Sequence, residues 1–274
     1  MVITPLDFEF ISTLIRGESA IVLDVGKEYL VEARLDPVVK SAGFASLAAL
    51  VAELRHNGQG ELRRKVVAAL TTNETSFFRD LEPFNLLRSS VIPELIKKRE
   101  SSRQLSIWCA AASSGQEPYS LVMMLKEAFP VLGNWQVSVL ATDLCREVLE
   151  RAREGVYTQF EVNRGLPVPY LIKYFEKQGG NWRIKQDLRK IIRFEELNLI
   201  KPFSGIFEMD LIMVRNVLIY FDVPTKSAIL QKLRGVMRSD GFLFLGSTET
   251  TLGVDDHFER YVVGKGVCYR KKAS

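Results

Sequence analysis

The sequence predicts an α/β protein: an open, doubly wound, largely parallel sheet, preceded by a small all-α domain and carrying a small β insertion. Three observations predict it. From about Leu81 onward, apolar runs of strand length alternate with helical stretches, the rhythm of β–α–β units. The run LSIWCAAASSGQEPYSL (105–121) passes from an apolar strand through a turn of small residues into a helix. Residues 1 to about 70 show helical periodicity and no strand pattern.

Composition sets the outer bounds. A length of 274 residues suits a main domain with a smaller one. Hydrophobic residues at 47% and charged residues at 26% leave enough apolar surface for a core. The net charge of +4 is mild, and no block of like charge resembles a nucleic-acid arm, so no nucleic-acid partner is expected. Cys109, Cys145 and Cys268 are scattered in apolar contexts and read as buried thiols of a reducing compartment. No Cys/His pair has zinc spacing, so no metal is expected. No apolar run approaches the ~20 residues that span a bilayer. MVITPLDFEF has acids where a signal peptide needs bases. A cytoplasmic monomer without membrane insertion is the expectation.

The elements follow in order. Thr4 caps a first helix with Pro5, Leu6, Phe8, Ile11, Leu14 and Ile15 at amphipathic spacing. A second runs from about Lys27 to Ser41, bent or interrupted at Pro37. Ser46 caps a third, ending at His56 before Gly58 and Gly60, and residues 60–70 form a fourth. The helical domain with its linker is taken as 1–80 and the main domain as 81–274. EPFNLLRSSVIPELIKKR opens the main domain as helix. Strand 105–109, helix 116–128, strand 136–142 and helix 145–153 follow. The insertion spans about 158–190: YLIKYFEK reads as helix, Gly179-Gly180-Asn181 as a tight turn and WRIKQDL as a strand, together a β-element on the sheet edge. Strands at 190–195 and 210–214, a helix at 224–238 and a strand at 242–246 complete the alternation. YVVGKGVCYR (261–270) then reads as a hairpin turning at Gly264-Lys265-Gly266. A parallel sheet ending in an antiparallel hairpin is the signature of class I S-adenosylmethionine methyltransferases.

Ligands of open parallel sheets bind at the carboxyl ends of strands, so polar residues there are the site candidates. The small turn from Ala110 to Gly115 either brings the backbone close to a nucleotide-like ligand or is compact helix–sheet packing. Asp143 closes an apolar strand; its carboxylate suits a ribose diol, against the plain reading as a helix cap. Glu117 lies in a first helical turn, where the macrodipole favours acids, or faces a ligand's amino group. Gln116 reads as a surface residue. Arg215 and Asn216 end an apolar strand, with Tyr220 and Asp222 just beyond. Asn73 and Thr75 are caps or site residues, Phe77 and Phe78 are core rather than an adenine platform, and Arg79 reads as a surface ion pair or a site residue.

With these pieces placed, the chain resembles the chemotaxis receptor methyltransferase family (CheR), the protein-glutamate O-methyltransferases of bacterial signal transduction. TTNETSFFRD, WCAAASSGQEPYSL, LATDL, EELNL (195–199), RNVLIYFD and LGSTET (245–250) stand in family order over roughly 200 residues. The resemblance implies S-adenosylmethionine as cofactor, S-adenosylhomocysteine as product, and glutamates on the cytoplasmic helical bundle of methyl-accepting chemoreceptors as acceptors. It implies Asn73, Thr75 and Arg79 in the first cofactor segment, and Ala110, Glu117 and Asp143 in the strand-end motifs. It places Asn198 and Leu199 beside the adenine, Arg215 and Asn216 in the fourth-strand segment, and Arg79 and Tyr220 near the transferred methyl. Two departures qualify it. Gln178-Gly179-Gly180-Asn181 is shorter than the glycine-rich loop of members that grip a receptor's C-terminal peptide, so a peptide-independent enzyme is expected. Residues 27–40 set Lys27, Arg34 and Lys40 against Glu28, Glu32 and Asp36, so the basic docking helix of the family is neutral here. The rival readings are an N-directed methyltransferase on nucleic acid or a protein amide, and a non-catalytic cofactor-binding signalling module.

Overall fold

The structure is a computed structural model, and it describes residues 3–57 and 60–272. Gly58, expected to break the third helix, lies outside the described residues. Contacts divide the chain into two compact units: Met1–Thr72 with Tyr220–Thr225, and Asn73–Ile219 with Lys226–Ser274.

The first unit is helical. α1 (Pro5–Ser19) starts where the Thr4 side chain accepts from the Asp7 N–H, with proline in the first turn, where a missing N–H costs nothing. α2 (Glu28–Ser41) continues through Pro37 rather than stopping there. α3 (Leu47–His56) is capped by Ser46, whose side chain accepts from Ala49 N–H, and α4 (Glu61–Leu70) follows. Ile11, Ile15, Val31, Leu35, Leu50, Leu54 and Val66 supply the buried core. Arg34 Nη1 donates to the carbonyls of Leu70 and Thr71 at 2.9 and 3.2 Å, satisfying acceptors that the end of α4 leaves open. Tyr220–Thr225 belongs to this unit: Tyr220 O accepts from Val22 N–H at 3.1 Å, and Arg16 pairs with Asp222 at 2.9 Å.

The second unit begins at Asn73, so residues 73–80, grouped above with the helical domain as a linker, make their contacts here. Phe77 and Phe78 are buried in its core, and Phe78 N–H donates to Ser120 Oγ at 2.9 Å. α5 (Leu81–Leu86) and α6 (Ile92–Lys98) are joined by a π-helical turn at Leu87–Val91. Pro93 has no N–H for the carbonyl of Ser89, which explains the wider turn just before it.

β1 (Gln104–Ala110), α7 (Gln116–Ala128), β2 (Gln136–Asp143) and α8 (Arg146–Glu154) form the first β–α–β–α run. The insertion contains β3 (Val156–Thr158), α9 (Gln159–Asn163), α10 (Val168–Tyr174), β4 (Phe175–Gln178), β5 (Asn181–Ile184) and α11 (Gln186–Arg189). It is not an edge of the main sheet but a separate three-stranded antiparallel sheet, ordered β3-β5-β4. YLIKYFEK changes from helix to strand at Phe175, and WRIKQDL leaves the strand after Ile184. Packing decides this: the Phe175 ring sits 5.7 Å from Phe77 and 6.5 Å from Tyr157, which draws residue 175 out of helical register.

β6 (Ile192–Glu196), β7 (Met209–Val214), α12 (Val223–Val236), β8 (Met237–Leu245), β9 (Phe258–Val263) and β10 (Gly266–Lys271) complete the chain. β8 starts ahead of the expected 242 because Met237 pairs with Met209 before an irregularity in the ladder. The main sheet has seven strands in the order β6-β2-β1-β7-β8-β10-β9. Its first five strands pair in parallel, and β10 runs antiparallel to both β8 and β9. Strand order reverses between β1 and β7, the switch point where such sheets bind ligands. β1 is apolar on both faces from Trp108 to Ala110, as a strand covered on both sides must be. Among the described residues no helix is long and apolar enough to cross a membrane.

Candidate active site

Past the end of β1 the chain turns within five residues, three of them left-handed: Ala111 at φ 57°, Ser113 at φ 50° and Gly115 at φ 92°. Glycine is required at 115 for a second reason, since a Cβ there would stand 2.9 Å from Ala152 Cβ. The strained conformation of Ala111 and Ser113 persists because tertiary bonds hold the turn. Ala112 N–H donates to Thr142 O at 2.9 Å. Ser113 N–H donates to Asp143 Oδ2 at 2.8 Å and Ser113 Oγ to Asn73 O at 2.6 Å. Tyr157 OH donates to Ser114 O at 2.7 Å.

Asp143, at the last position of β2, is therefore not a helix cap. The α8 N-cap is Cys145, which makes no side-chain cap bond. Asp143 Oδ1 instead accepts from Cys145 N–H at 3.0 Å while Oδ2 holds the β1–α7 turn. Burial raises its pKa, against the pull of these backbone donors. A carboxylate has about four acceptor positions, so it retains capacity for a ligand hydroxyl.

Glu117 and Arg215 meet each other. Arg215 Nη1 donates to Glu117 Oε2 at 2.7 Å, and Nη2 donates to Arg79 O at 2.7 Å and Asp80 Oδ2 at 3.0 Å. The Arg215 side chain is 1% exposed, and its buried Nε–H has no acceptor among the described residues. Burial raises the Glu117 pKa, opposed by the guanidinium. Among the described residues the Arg79 guanidinium makes no ion pair; it donates to Glu74 O at 3.1 Å. Gln116, expected at the surface, is 2% exposed, because the start of α7 lies beneath the small turn, where Ser114 Oγ donates to Gln116 Oε1 at 2.8 Å.

Asn216, two residues past the end of β7, adopts φ 59°, and its backbone N–H is held by Glu249 Oε2 at 2.8 Å. Asn198 follows β6, its Oδ1 accepting from Ile200 N–H at 3.2 Å, and Leu199 beside it is buried. Asn73, Thr75, Ser114, Gln116, Arg151 and Arg164 border a cleft of about 460 Å³. Tyr220 ends a single 3-10 turn, Leu218–Tyr220, and belongs by its contacts to the first unit.

One hydrogen-bonded system at the carboxyl edge thus joins Asn73, the turn after Ala110 and Asp143, and a second joins Arg79, Glu117 and Arg215. Ser113, Gln116, Tyr157, Asp80 and Glu249 carry this geometry without having stood out in the sequence. Glu249 lay within LGSTET, but its partners Asn216, Val217 and Ile219 are 33, 32 and 30 residues away and become neighbours only when β8 pairs with β7.

The donor set fits S-adenosylmethionine. Asp143 offers acceptors for a diol, and small side chains let backbone N–H groups approach. A switch-point site of this kind, on a parallel sheet closed by an antiparallel hairpin, defines a S-adenosylmethionine-dependent methyltransferase. The comparisons with known proteins are specific. The family described as CheR methyltransferase, SAM binding domain matches residues 73–266, and CheR methyltransferase, all-alpha domain matches residues 6–71. The chain is 40% identical over 270 residues to Chemotaxis protein methyltransferase 1 of Pseudomonas aeruginosa, covering 97% of this chain and 98% of that protein. It is 37% identical to Chemotaxis protein methyltransferase Cher2 of Pseudomonas putida, with 97% and 98% covered. It is 35% identical to the Chemotaxis protein methyltransferase of Vibrio parahaemolyticus, with 98% of each chain covered. The chain belongs to the CheR methyltransferase family.

Proposed function

We propose that the protein methylates glutamate side chains on the cytoplasmic helical bundle of chemoreceptors, forming glutamyl methyl esters and S-adenosylhomocysteine. The observation that supports this reading is the match of the CheR methyltransferase SAM binding domain to residues 73–266, the stretch that holds the Asp143–Ser113 bond and the Arg215–Glu117 pair at the strand ends.

Bound S-adenosylmethionine supplies a methyl group already activated on a sulfonium. In this reading Asp143 takes the ribose hydroxyls, Asn198 and Leu199 flank the adenine, and Asn73, Thr75, Ala110, Glu117, Arg215 and Asn216 complete the cofactor contacts. The acceptor carboxylate, with an ordinary pKa near ~4.3, is ionised at neutral pH, so no residue has to act as general base. The protein's task is alignment, which contributes up to roughly 7–11 kcal/mol in well-oriented systems. Arg79 orients the incoming carboxylate; a tight bidentate pair would stabilise the ground state and blunt the nucleophile. Tyr220 donates one hydrogen bond to it. The β4–β5 turn holds only Gly179 and Gly180, which supports an enzyme that needs no C-terminal peptide tether. We take it to act as a cytoplasmic monomer without a metal.

Radiolabelled methyl transfer to receptor-enriched membranes tests the proposal. Label released as methanol in mild alkali, and equal labelling of receptors lacking the C-terminal peptide, are the expected results. Alkali-stable label would point to a methylated nitrogen, and absence of transfer to a cofactor-binding signalling module.

A further inference from the structure

Two parallel strands end side by side at Val214 and Leu245, and each continues into a turn with unpaired N–H groups. The Glu249 carboxylate collects them. Oε2 accepts from Asn216 N–H at 2.8 Å and from Gly246 N–H at 2.6 Å. Oε1 accepts from Val217 N–H at 2.9 Å and from Ile219 N–H at 3.3 Å. Glu249 N–H in turn donates to Gly246 O at 3.0 Å, which closes the turn that carries the carboxylate. A concave set of backbone N–H groups is an anion site, and here the chain fills it with its own side chain. Space at the clasp is tight: a Cβ at residue 246 would stand 2.7 Å from Glu249 Oε2 and 2.8 Å from Asn216 Nδ2. The left-handed Asn216 is held by this carboxylate, not by a helix or ladder bond.

We infer that Glu249 is a positioning residue for methyl transfer, fixing the segment from Asn216 to Ile219 so that Asn216 meets the cofactor in one arrangement. The inference rests on the reading above that Asn216 belongs to the methyl-transfer site. Glutamine is no substitute, because its amide nitrogen would face two N–H donors where an acceptor is required. Aspartate keeps both oxygens but withdraws them by one methylene.

The test is a mutant cycle on the full-length protein, reading kcat and KM for methyl transfer together with melting temperature. Glu249→Gln is expected to lower kcat/KM on the order of 100-fold, the scale of a misplacement of about 1 Å, and Glu249→Asp by less. Combined with Asn216→Ala, the Gln change should add little to the loss from Asn216→Ala alone, since both act through one residue. A merely structural role would leave the two losses multiplying. Wild-type kcat/KM in Glu249→Gln, or multiplying losses, would overturn the inference; if the Gln variant does not fold, Glu249→Asp carries the same cycle. Failure of the wild-type protein to methylate receptors would instead overturn the functional reading.

Discussion

Arg215 Nη1 donates to Glu117 Oε2 at 2.7 Å across 98 residues of sequence, tying the end of β7 to the first turn of α7. The same guanidinium holds Arg79 O and Asp80, so two other segments of the site converge on one side chain. With 1% and 12% of the two side chains exposed, solvent does little to screen the pair.

Arg215→Met is therefore expected to destabilise the protein by about 3–5 kcal/mol, because it leaves the Glu117 carboxylate buried without its partner. Arg215→Lys should recover part of the loss, since an ammonium keeps the charge but not the fork that reaches several acceptors. Urea unfolding decides it. A Met variant as stable as wild type would mean the pair contributes nothing to the fold.

Asp143 and Glu117 both have pKa values raised by burial, and this gives a pH dependence with a definite sign. In the unfolded chain they ionise near ~3.9 and ~4.3. As pH rises from there toward the raised folded values, the unfolded state loses protons first, so each group lowers stability across that window. Asp143→Asn removes one such fall, and its stability relative to wild type should increase with pH there. Affinity for S-adenosylhomocysteine runs the opposite way. It should fall in acid below the raised values, and Asp143→Asn or Asp143→Ala should weaken it at neutral pH. Calorimetry showing unchanged affinity in either variant would remove Asp143 from the ribose site.

Gly115→Ala should cost about 1–3 kcal/mol from the left-handed backbone, with a further cost from the 2.9 Å approach to Ala152 Cβ. Adding Ala152→Gly should relieve the contact and leave the backbone cost. If Gly115→Ala costs as much in the Ala152→Gly background as in the wild type, the contact relaxes freely; comparing within that background cancels glycine's own cost in α8.

Tyr220→Phe should lower kcat while leaving the dissociation constant of S-adenosylhomocysteine unchanged, because the proposed hydrogen bond is to the acceptor. Unchanged turnover would take Tyr220 out of the mechanism.

Much of this molecule was legible before folding. The β–α alternation, the Thr4 and Ser46 caps and the C-terminal hairpin are local patterns, and the structure repeats them within a few residues. Asp143 and Asn216 were legible as strand-end polar residues, because an apolar run that stops on a polar side chain announces itself. Their partners were not. The cap reading of Asp143 gave way to Ser113, Gln116 turned out buried, and the insertion formed its own sheet around Phe77, Tyr157 and Phe175.

Outside the insertion, sequence by itself determined which segments are helix or strand and that chemistry belongs at the carboxyl ends of the strands, since periodicity and turn chemistry act over a few residues. Tertiary structure alone decided that Arg215 meets Glu117, that Asp143 grips the β1–α7 turn and that Glu249 collects four N–H groups from two strand ends. Those pairings depend on which strands lie side by side, and strand order is set by burial of the whole sheet, which no short stretch of residues encodes.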